Sequence, residues 1–494
     1  MHRPEIGEKG GQEYPLLRGI QMFLGQMAEG GAQAASTVIK ELLQNADDAG
    51  ATEMSLTLDE RSLRNGLNQD YRVLCSPSLL VWHNSPFRLG TDPGSTWDDF
   101  AAICDVAGGH KWNQATAAGR FGIGFNSVYF LTDTPLIFSR NQIHVFDLLH
   151  EIIEDNGWKF RLEEYPKDSK SSVGSIKEVL DWCFPSQVLR AGSLGNLAEQ
   201  GQHYRYTVFR LPLRQSADEF PALHPTRFPE PGHRRRILLE MADEAARSIL
   251  FLKHVRSISF WLLSDRKTPA EELDRVEVTK SPDAFYSFLK QLEELGEKEE
   301  LTQVPPCSFE RTITRKDTTK ASAQAWRFRV THLARFDDKD LMELRRRLKR
   351  NKERATPWVS VAVPLDLASC RFDGGEVAKW RVFLPLLEPG PSSCIISGGF
   401  FVGPSRQYLE YTVNEEEHRE RKTRWNQLLV KNALTPLLRE LSFDLPDLAR
   451  DLLEQHPKDY LNLFPAAEKP NDPLTNLAEF VSHCFSSDAW ALRL

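Results

Sequence analysis

Cysteine is scarce in this chain: seven residues, Cys75, Cys104, Cys183, Cys307, Cys370, Cys394 and Cys484, stand far apart with no Cys-x-x-Cys pair. That spacing excludes a zinc ribbon or a dithiol couple and fits a reducing compartment rather than a disulfide scaffold. Long apolar runs are also missing, and no stretch approaches the roughly 18 residues that span a bilayer. The first residues lack the basic-then-apolar pattern of a secretory signal, so the expected location is the cytoplasm, with no membrane partner. Neither sign of charge dominates: 62 Lys+Arg against 69 Asp+Glu leaves −7 over 494 residues. Nucleic acid is therefore not an expected partner, and the runs Arg234–Arg236 and Arg345–Arg347 are read as solvated helix faces. No internal repeat stands out.

What is present is a globular composition, 41% hydrophobic and 27% charged, in a chain long enough for two or three domains. Apolar residues recur at helical spacing from Leu17 to Ala28 and from Ala34 to Ala49, the second helix ending at Gly50. Strands are expected at Met54–Leu58, Leu79–Trp82, Ile137–Phe138, Ile143–Phe146 and Tyr206–Leu211. Beyond a Pro-rich connection come a helix, Arg234–Leu252, and a strand, Ser257–Leu263. A helical stretch near Phe288–Glu300 and strands at Trp326–Thr331, Trp358–Val363 and Val382–Leu384 follow. The order predicts an α/β (α+β) protein divided into an extension (1–16), a first domain (17–215), a second α/β domain (216–445) and a helical tail or linker (446–494).

The segment ELLQNADDA, Glu41 to Ala49, puts Glu41, Asn45 and Asp48 at spacings of four and three, on one face of a helix. Asn45 offers an oxygen suited to Mg²⁺, and Glu41, one turn earlier, is placed to polarise a water for attack on a γ-phosphate. A solvated helix face explains the same spacing equally well. The second element is GRFGIGFNSVY, with Gly119, Gly122 and Gly124 directly before an expected helix at Asn126–Leu131. Glycines let backbone approach a polyphosphate, and a helix N-terminus favours its charge. The long polar segment from Asp105 to Gly119 reads as a lid with glycine hinges.

Together, ELLQNADDAGAT and GRFGIGFNSVYFLTD resemble the repeated unit of the sacsin family, built on a chaperone-type ATPase domain of the GHKL superfamily. The resemblance continues through YTVFRLPLR (Tyr206–Arg214), ILFLKHVRSISF (Ile249–Phe260), GGFFVGPSRQYLEY (Gly398–Tyr411) and WNQLLVKNALTPLL (Trp425–Leu438). It implies a Bergerat two-layer α/β sandwich followed by a middle-type α/β domain, with ATP and Mg²⁺ as ligands. Carried over residue by residue, it makes Glu41 the water-activating carboxylate, Asn45 the Mg²⁺ ligand and Asp48 a pocket-wall residue near the base. Gly119, Phe121, Gly122, Gly124 and Phe125 would form the phosphate-embracing hinge, Lys111 a lid lysine reaching the phosphates, and Thr207 a contact near adenine. PSRQYLEY is similar to a chaperone loop that sends an arginine to the γ-phosphate, which would be Arg406; an ion pair of Arg406 with Glu410 on a helix is the alternative. The chain departs from the superfamily where an aspartate usually accepts from the adenine amino group. It has His83-Asn84-Ser85-Pro86-Phe87 there. Asn84 is then either a weaker acceptor for the base or a simple turn residue.

Two functions follow from the resemblance. One is an ATP-driven conformational switch with slow hydrolysis, protein clients or effector partners, and ATP-dependent homodimerisation. The other is a nucleotide-sensing scaffold that binds without turnover and recruits an effector, as in a prokaryotic defence assembly. A structural pseudo-ATPase is the third reading.

Overall fold

Fourteen strands join edge to edge in the computed structural model, which describes Ile20, Leu24 and residues 34–61, 71–92, 98–104, 124–149, 157–164, 176–201, 203–215, 223–265, 268–320, 322–350, 353, 355–375, 377–403, 407–411, 417–465 and 476–486. In chain order the strands are β1 (Glu53–Asp59), β2 (Ser78–His83), β3 (Leu136–Arg140), β4 (Gln142–Phe146), β5 (Gly157–Arg161), β6 (Tyr204–Pro212) and β7 (Ser257–Leu263). They continue as β8 (Glu271–Val278), β9 (Cys307–Asp317), β10 (Gln324–Ala334), β11 (Trp358–Pro364), β12 (Lys379–Val382), β13 (Leu384–Pro389) and β14 (Ile395–Gly398). Their order across the sheet is β13-β12-β14-β11-β10-β9-β8-β7-β1-β2-β6-β3-β4-β5. Among the described residues, only the β1–β7 and β12–β14 pairings are parallel. The molecule is a mixed α/β protein with a mostly antiparallel sheet.

The β1–β7 ladder runs from Glu53 opposite Ser257 to Asp59 opposite Leu263, so the sheet is continuous across residue 215. Successive side chains along a strand point to opposite faces of the sheet, and here both faces are covered. On one face Met54, Leu56, Leu79, Val81, Ile137 and Phe209 bury against the Ala34–Asp48 and Pro231–Ser248 helices. On the other, Leu80, Trp82, Leu136, Phe138 and Val208 pack against the helices Ile176–Cys183 and Leu194–Gln200. This second layer carries no signal in the strand pattern, because fully buried strands do not alternate apolar with polar. A separate core gathers Val359, Val361 and Val363 of β11 with Trp425, Leu429 and Leu434. Among the described residues, no helix is long and apolar enough to cross a membrane.

The Ala34–Asp48 helix ends as its apolar spacing predicts. Gly50 takes φ +77°, which a residue with a Cβ rarely adopts, and Ala51 N–H returns to Ala46 O at 2.9 Å. Two local expectations need correction. Residues 124–130 form a 3₁₀ helix rather than an α-helix. Val382–Leu384 is not one strand, because Phe383 turns the chain at φ +63° between β12 and β13. Most of the Leu17–Ala28 helix and the lid segment lie outside the described residues.

Candidate functional site

The Ala34–Asp48 helix carries two polar stripes. Glu41 is 8% exposed and Asn45 half-buried, one turn apart on a helix that packs directly on the 3₁₀ turns of Gly124–Phe130. The second stripe, Lys40, Gln44 and Asp47, repeats the same spacing one residue earlier and went unread in the sequence. Lys40 Nζ donates to Pro385 O at 3.0 Å and pairs with Glu244 at 3.2 Å. Asp47 accepts three backbone N–H groups, from Lys253 (3.0 Å), His254 (2.6 Å) and Val255 (3.0 Å). Asp48, for which the resemblance implies a wall near the base, has its Oδ1 2.8 Å from Lys253 Nζ. The helix is thereby bolted to residues 244–255 and to β13.

At the sheet end of the site Asn84 is committed to Thr52 and Glu53. Its Oδ1 accepts from Thr52 N–H (2.8 Å) and Glu53 N–H (3.1 Å), and its Nδ2 donates to Thr52 Oγ1 (2.8 Å). Of the two readings of Asn84, this geometry is that of a turn residue closing the helix-to-β1 connection. Ser85 Oγ donates to Ala49 O at 2.6 Å. Thr207, fully buried on β6, donates to Ser85 O at 2.9 Å and touches Ser139 Oγ at 2.9 Å. Ser139, not anticipated, also meets Phe87 N–H (2.9 Å) and Tyr206 O (3.1 Å). The register that sets His83 and Ser139 on either side of Thr207 makes this row polar.

Aromatic rings surround that row. Phe209 lies 6.0 Å from His83, 5.9 Å from Phe87 and 5.8 Å from Phe125, centroid to centroid. Phe87 stands edge-on to Phe100 at 4.8 Å, and Phe100 stacks on His144 at 4.0 Å. Burial pulls the His83 pKa down to about 3 and that of His144 to about 4, where the Lys159 charge adds to it, so both rings are neutral at pH 7.

Gly124 opens the 3₁₀ turns and Phe125 is buried within them; Lys111, Gly119, Phe121, Gly122 and Arg406 lie outside the described residues. The flanks of Arg406 are described, and they form a hairpin base rather than the helix on which Glu410 would reach Arg406 by helical spacing. Gly403 N–H donates to Tyr408 O (3.0 Å) and Glu410 N–H to Phe401 O (2.9 Å). Asn426, fully buried, clamps both sides, accepting from Phe401 N–H (2.8 Å) and donating to Phe401 O and Glu410 O (each 2.9 Å). Trp425 Nε1 donates to Gly399 O at 2.9 Å. The GGFFVG and WNQLL segments are therefore partners in space. Gln407 O, next to Arg406, accepts from Leu387 N–H at 2.9 Å, two residues along β13 from the Pro385 that holds Lys40.

Whether these residues suit a triphosphate is tested by their unmet polar atoms. Among the described residues, the buried Asn126 Nδ2, just after the last hinge glycine, has no hydrogen-bond partner, and Gln44 Nε2 is in the same condition. A buried donor without a partner costs about 1–3 kcal/mol. Unmet donors on the helix of Glu41 and Asn45 and on the turns packed against it suit an acceptor-rich anion.

The fold and this donor set define a mixed α/β chain with a polar-striped helix facing a glycine-led turn. Residues 30–275 match the family model described as the Sacsin domain. Sacsin of Homo sapiens is 27% identical over 475 residues, covering 89% of this chain and 9% of that relative. The chain thus spans 9% of the length of the relative it matches. These findings support a sacsin-like unit in this chain.

Proposed function

We propose that this chain is an ATP- and Mg²⁺-dependent conformational switch of the sacsin and heat-shock chaperone type. It hydrolyses ATP slowly and couples lid and domain closure to the binding of client or effector proteins. The observation that carries this reading is Glu41 and Asn45 one turn apart on a helix that packs on the Gly124–Phe130 turns, with one unmet buried donor on each of these two elements, Gln44 Nε2 and Asn126 Nδ2. The likeness to Sacsin supports it, and the chaperone-like part rests on that likeness.

In this reading the Asn45 carboxamide oxygen is a Mg²⁺ ligand, as a hard cation prefers. Mg²⁺, when bound, neutralises phosphate charge. Glu41 takes a proton from the attacking water, and the amides after the glycine run hold the phosphates. Arg406, whose described flanks the Asn426 side chain clamps, adds a cation on closure. The path from Gln407 through β13 to Lys40 ties that hairpin to the residue next to Glu41.

The test is a calorimetric ATP titration beside a phosphate-release assay on the full chain. Glu41→Ala is expected to bind ATP as the parent does and to lose about 100-fold or more in release. Asn45→Ala is expected to lose Mg²⁺-dependent binding. Equal turnover in Glu41→Ala rejects Glu41 as the base; heat without release in the parent protein would select the sensing scaffold instead.

A further inference from the structure

We propose that Cys75 and Cys183 are a redox pair, in which Cys183 is oxidised by hydroperoxides and Cys75 is the thiol that closes a disulfide onto it. The pairing does not depend on the nucleotide reading. No Cys-x-x-Cys spacing announces it in the sequence. The fold makes it, from the turn before β2 and the end of the Ile176–Cys183 helix.

Buried cations draw these two segments together. Arg210 donates from Nε to Leu74 O (3.0 Å), from Nη2 to Ser76 O (3.1 Å) and from Nη1 to Cys183 O (3.3 Å). Arg61 donates to Trp182 O at 2.7 Å and lies 4.6 Å over the Trp182 ring. Cys183 Sγ donates to Leu74 O at 3.4 Å, and the Cys75 thiol is hydrogen-bonded to Cys183. Sulfurs already in contact meet the first geometric need of a disulfide.

The two thiols are not equivalent. Arg61 and Arg210 bring two positive charges to a single carboxylate, Asp59, so the surroundings of Cys183 are electropositive. A thiol in such a setting loses its proton more readily and becomes the nucleophile. Burial pushes the Cys183 thiol up, but the Cys75 hydrogen bond and the Arg210 and Arg61 charges outweigh it and leave it below the ordinary value. Cys75 is pushed up by that same hydrogen bond and by burial. Cys183 is therefore the attacking thiol and Cys75 the resolving one.

Both side chains are closed off, Cys75 at 1% and Cys183 at 0% exposure, so oxidation is gated by local opening. Cys75 lies in a short turn beside half-buried Val73 and Ser76, with Arg72 exposed. Opening a surface turn costs far less than unfolding the domain. Cys183 Sγ then attacks one peroxide oxygen, the O–O bond breaks, and the sulfur becomes a sulfenic acid while the departing hydroxide takes up the thiol proton as water. Cys75 Sγ attacks Cys183 Sγ next; the S–O bond breaks, the S–S bond forms, and the Cys75 proton leaves in a second water. The product staples the helix to the chain entering β2, and closing so long a loop favours the folded state.

The experiment exposes the full native chain to hydrogen peroxide, removes the oxidant with catalase, alkylates in denaturant and maps disulfides by non-reducing digestion. A linked Cys75–Cys183 peptide is expected, lost on treatment with dithiothreitol, together with a higher urea midpoint for the oxidised chain. In Cys75→Ser, Cys183 should stop at the sulfenic acid and be trapped by dimedone; in Cys183→Ser, Cys75 should not be labelled. Cys75 and Cys183 both remaining alkylatable overturns the proposal, as does linkage of either to another cysteine. Dimedone on Cys75 instead of Cys183 overturns the assigned roles. Mapping on the parent chain needs no variant, so a serine variant that fails to fold leaves the test intact.

Discussion

Lys253 Nζ lies 2.8 Å from Asp48 Oδ1, and both side chains are almost wholly withdrawn from solvent. The same lysine's backbone N–H donates to Asp47. One residue of the segment before β7 therefore holds the last turn of the helix that carries Glu41 and Asn45. Burial works against the Lys253 charge, and the Asp48 and Asp47 carboxylates outweigh it, leaving its pKa above the ordinary value.

Removing this cation takes the ion-pair partner from a buried carboxylate. Lys253→Met is expected to cost about 3–5 kcal/mol of stability in urea unfolding. Adding Asp48→Asn should recover part of that loss, since residues in contact couple by about 0.5–3 kcal/mol. Strict additivity of the two changes would show that the pair is not an energetic unit.

A second buried cluster makes a prediction at acid pH. Arg210, fully buried, donates to Asp59 (2.7 Å), Leu74 O (3.0 Å) and Ser76 O (3.1 Å), while Arg61 grips Asp59 at 2.6 Å and Trp182 O at 2.7 Å. Burial of Asp59 raises its pKa, but the Arg61 hydrogen bonds and the Arg210 charge outweigh that and hold it below the ordinary 3.8. Its stabilisation is complete above pH 3.8 and disappears as pH falls through the folded value. Arg210→Met should cost about 3–5 kcal/mol at pH 7, read by thermal unfolding. A melting temperature equal to the parent's would refute the role.

Histidines act in a different window. His83 and His332 are buried neutral, both pulled from 6.5 to about 3, His332 by burial with the Arg311 charge added. The unfolded chain binds protons at these sites between pH 6.5 and 3 and the folded chain does not, so stability falls as pH is lowered through that range. Each site contributes at most about 1.4 kcal/mol per pH unit. His332 sits among Phe285, Phe288 and Phe309, so His332→Phe should flatten the slope of unfolding free energy between pH 6.5 and 4.5. An unchanged slope would contradict the buried neutral state.

The Gly398-Gly399 pair owes its place to close packing. A Cβ on Gly399 would stand 2.0 Å from Thr356 O, so Gly399→Ala is expected to cost at least about 3 kcal/mol. Gly50→Ala meets no atom and strains only its φ of +77°, for about 1–2 kcal/mol. Denaturation midpoints ranked the other way would reverse this assignment.

Legibility differed by element. The Ala34–Asp48 helix and the strands β1, β2, β6 and β7 were readable within a residue or two, since apolar periodicity and the glycine stop report on local backbone. The helices at 176–200 and the strands β8, β9 and β14 were not, because their patterns are short or broken by charged residues that pair only in the folded sheet, as Arg315 does with Asp274 at 2.7 Å. At the site, Glu41 and Asn45 were visible as a helical stripe. Lys40, Gln44 and Asp47 show the same spacing and were passed over, because spacing alone does not say which stripe meets which neighbour.

The chain's own order of residues determined that a helix would carry an acid and an amide on one face and that glycines would precede a short helical turn; such features follow from steric rules acting over a few residues. Tertiary structure decided the destinations of the polar groups: Asp47 and Asp48 to a segment some two hundred positions later, Asn84 to the backbone beside it, Asn426 to the two sides of one hairpin. Hydrogen bonds across long sequence separations are set by how the sheet brings distant strands together, and no local pattern encodes that.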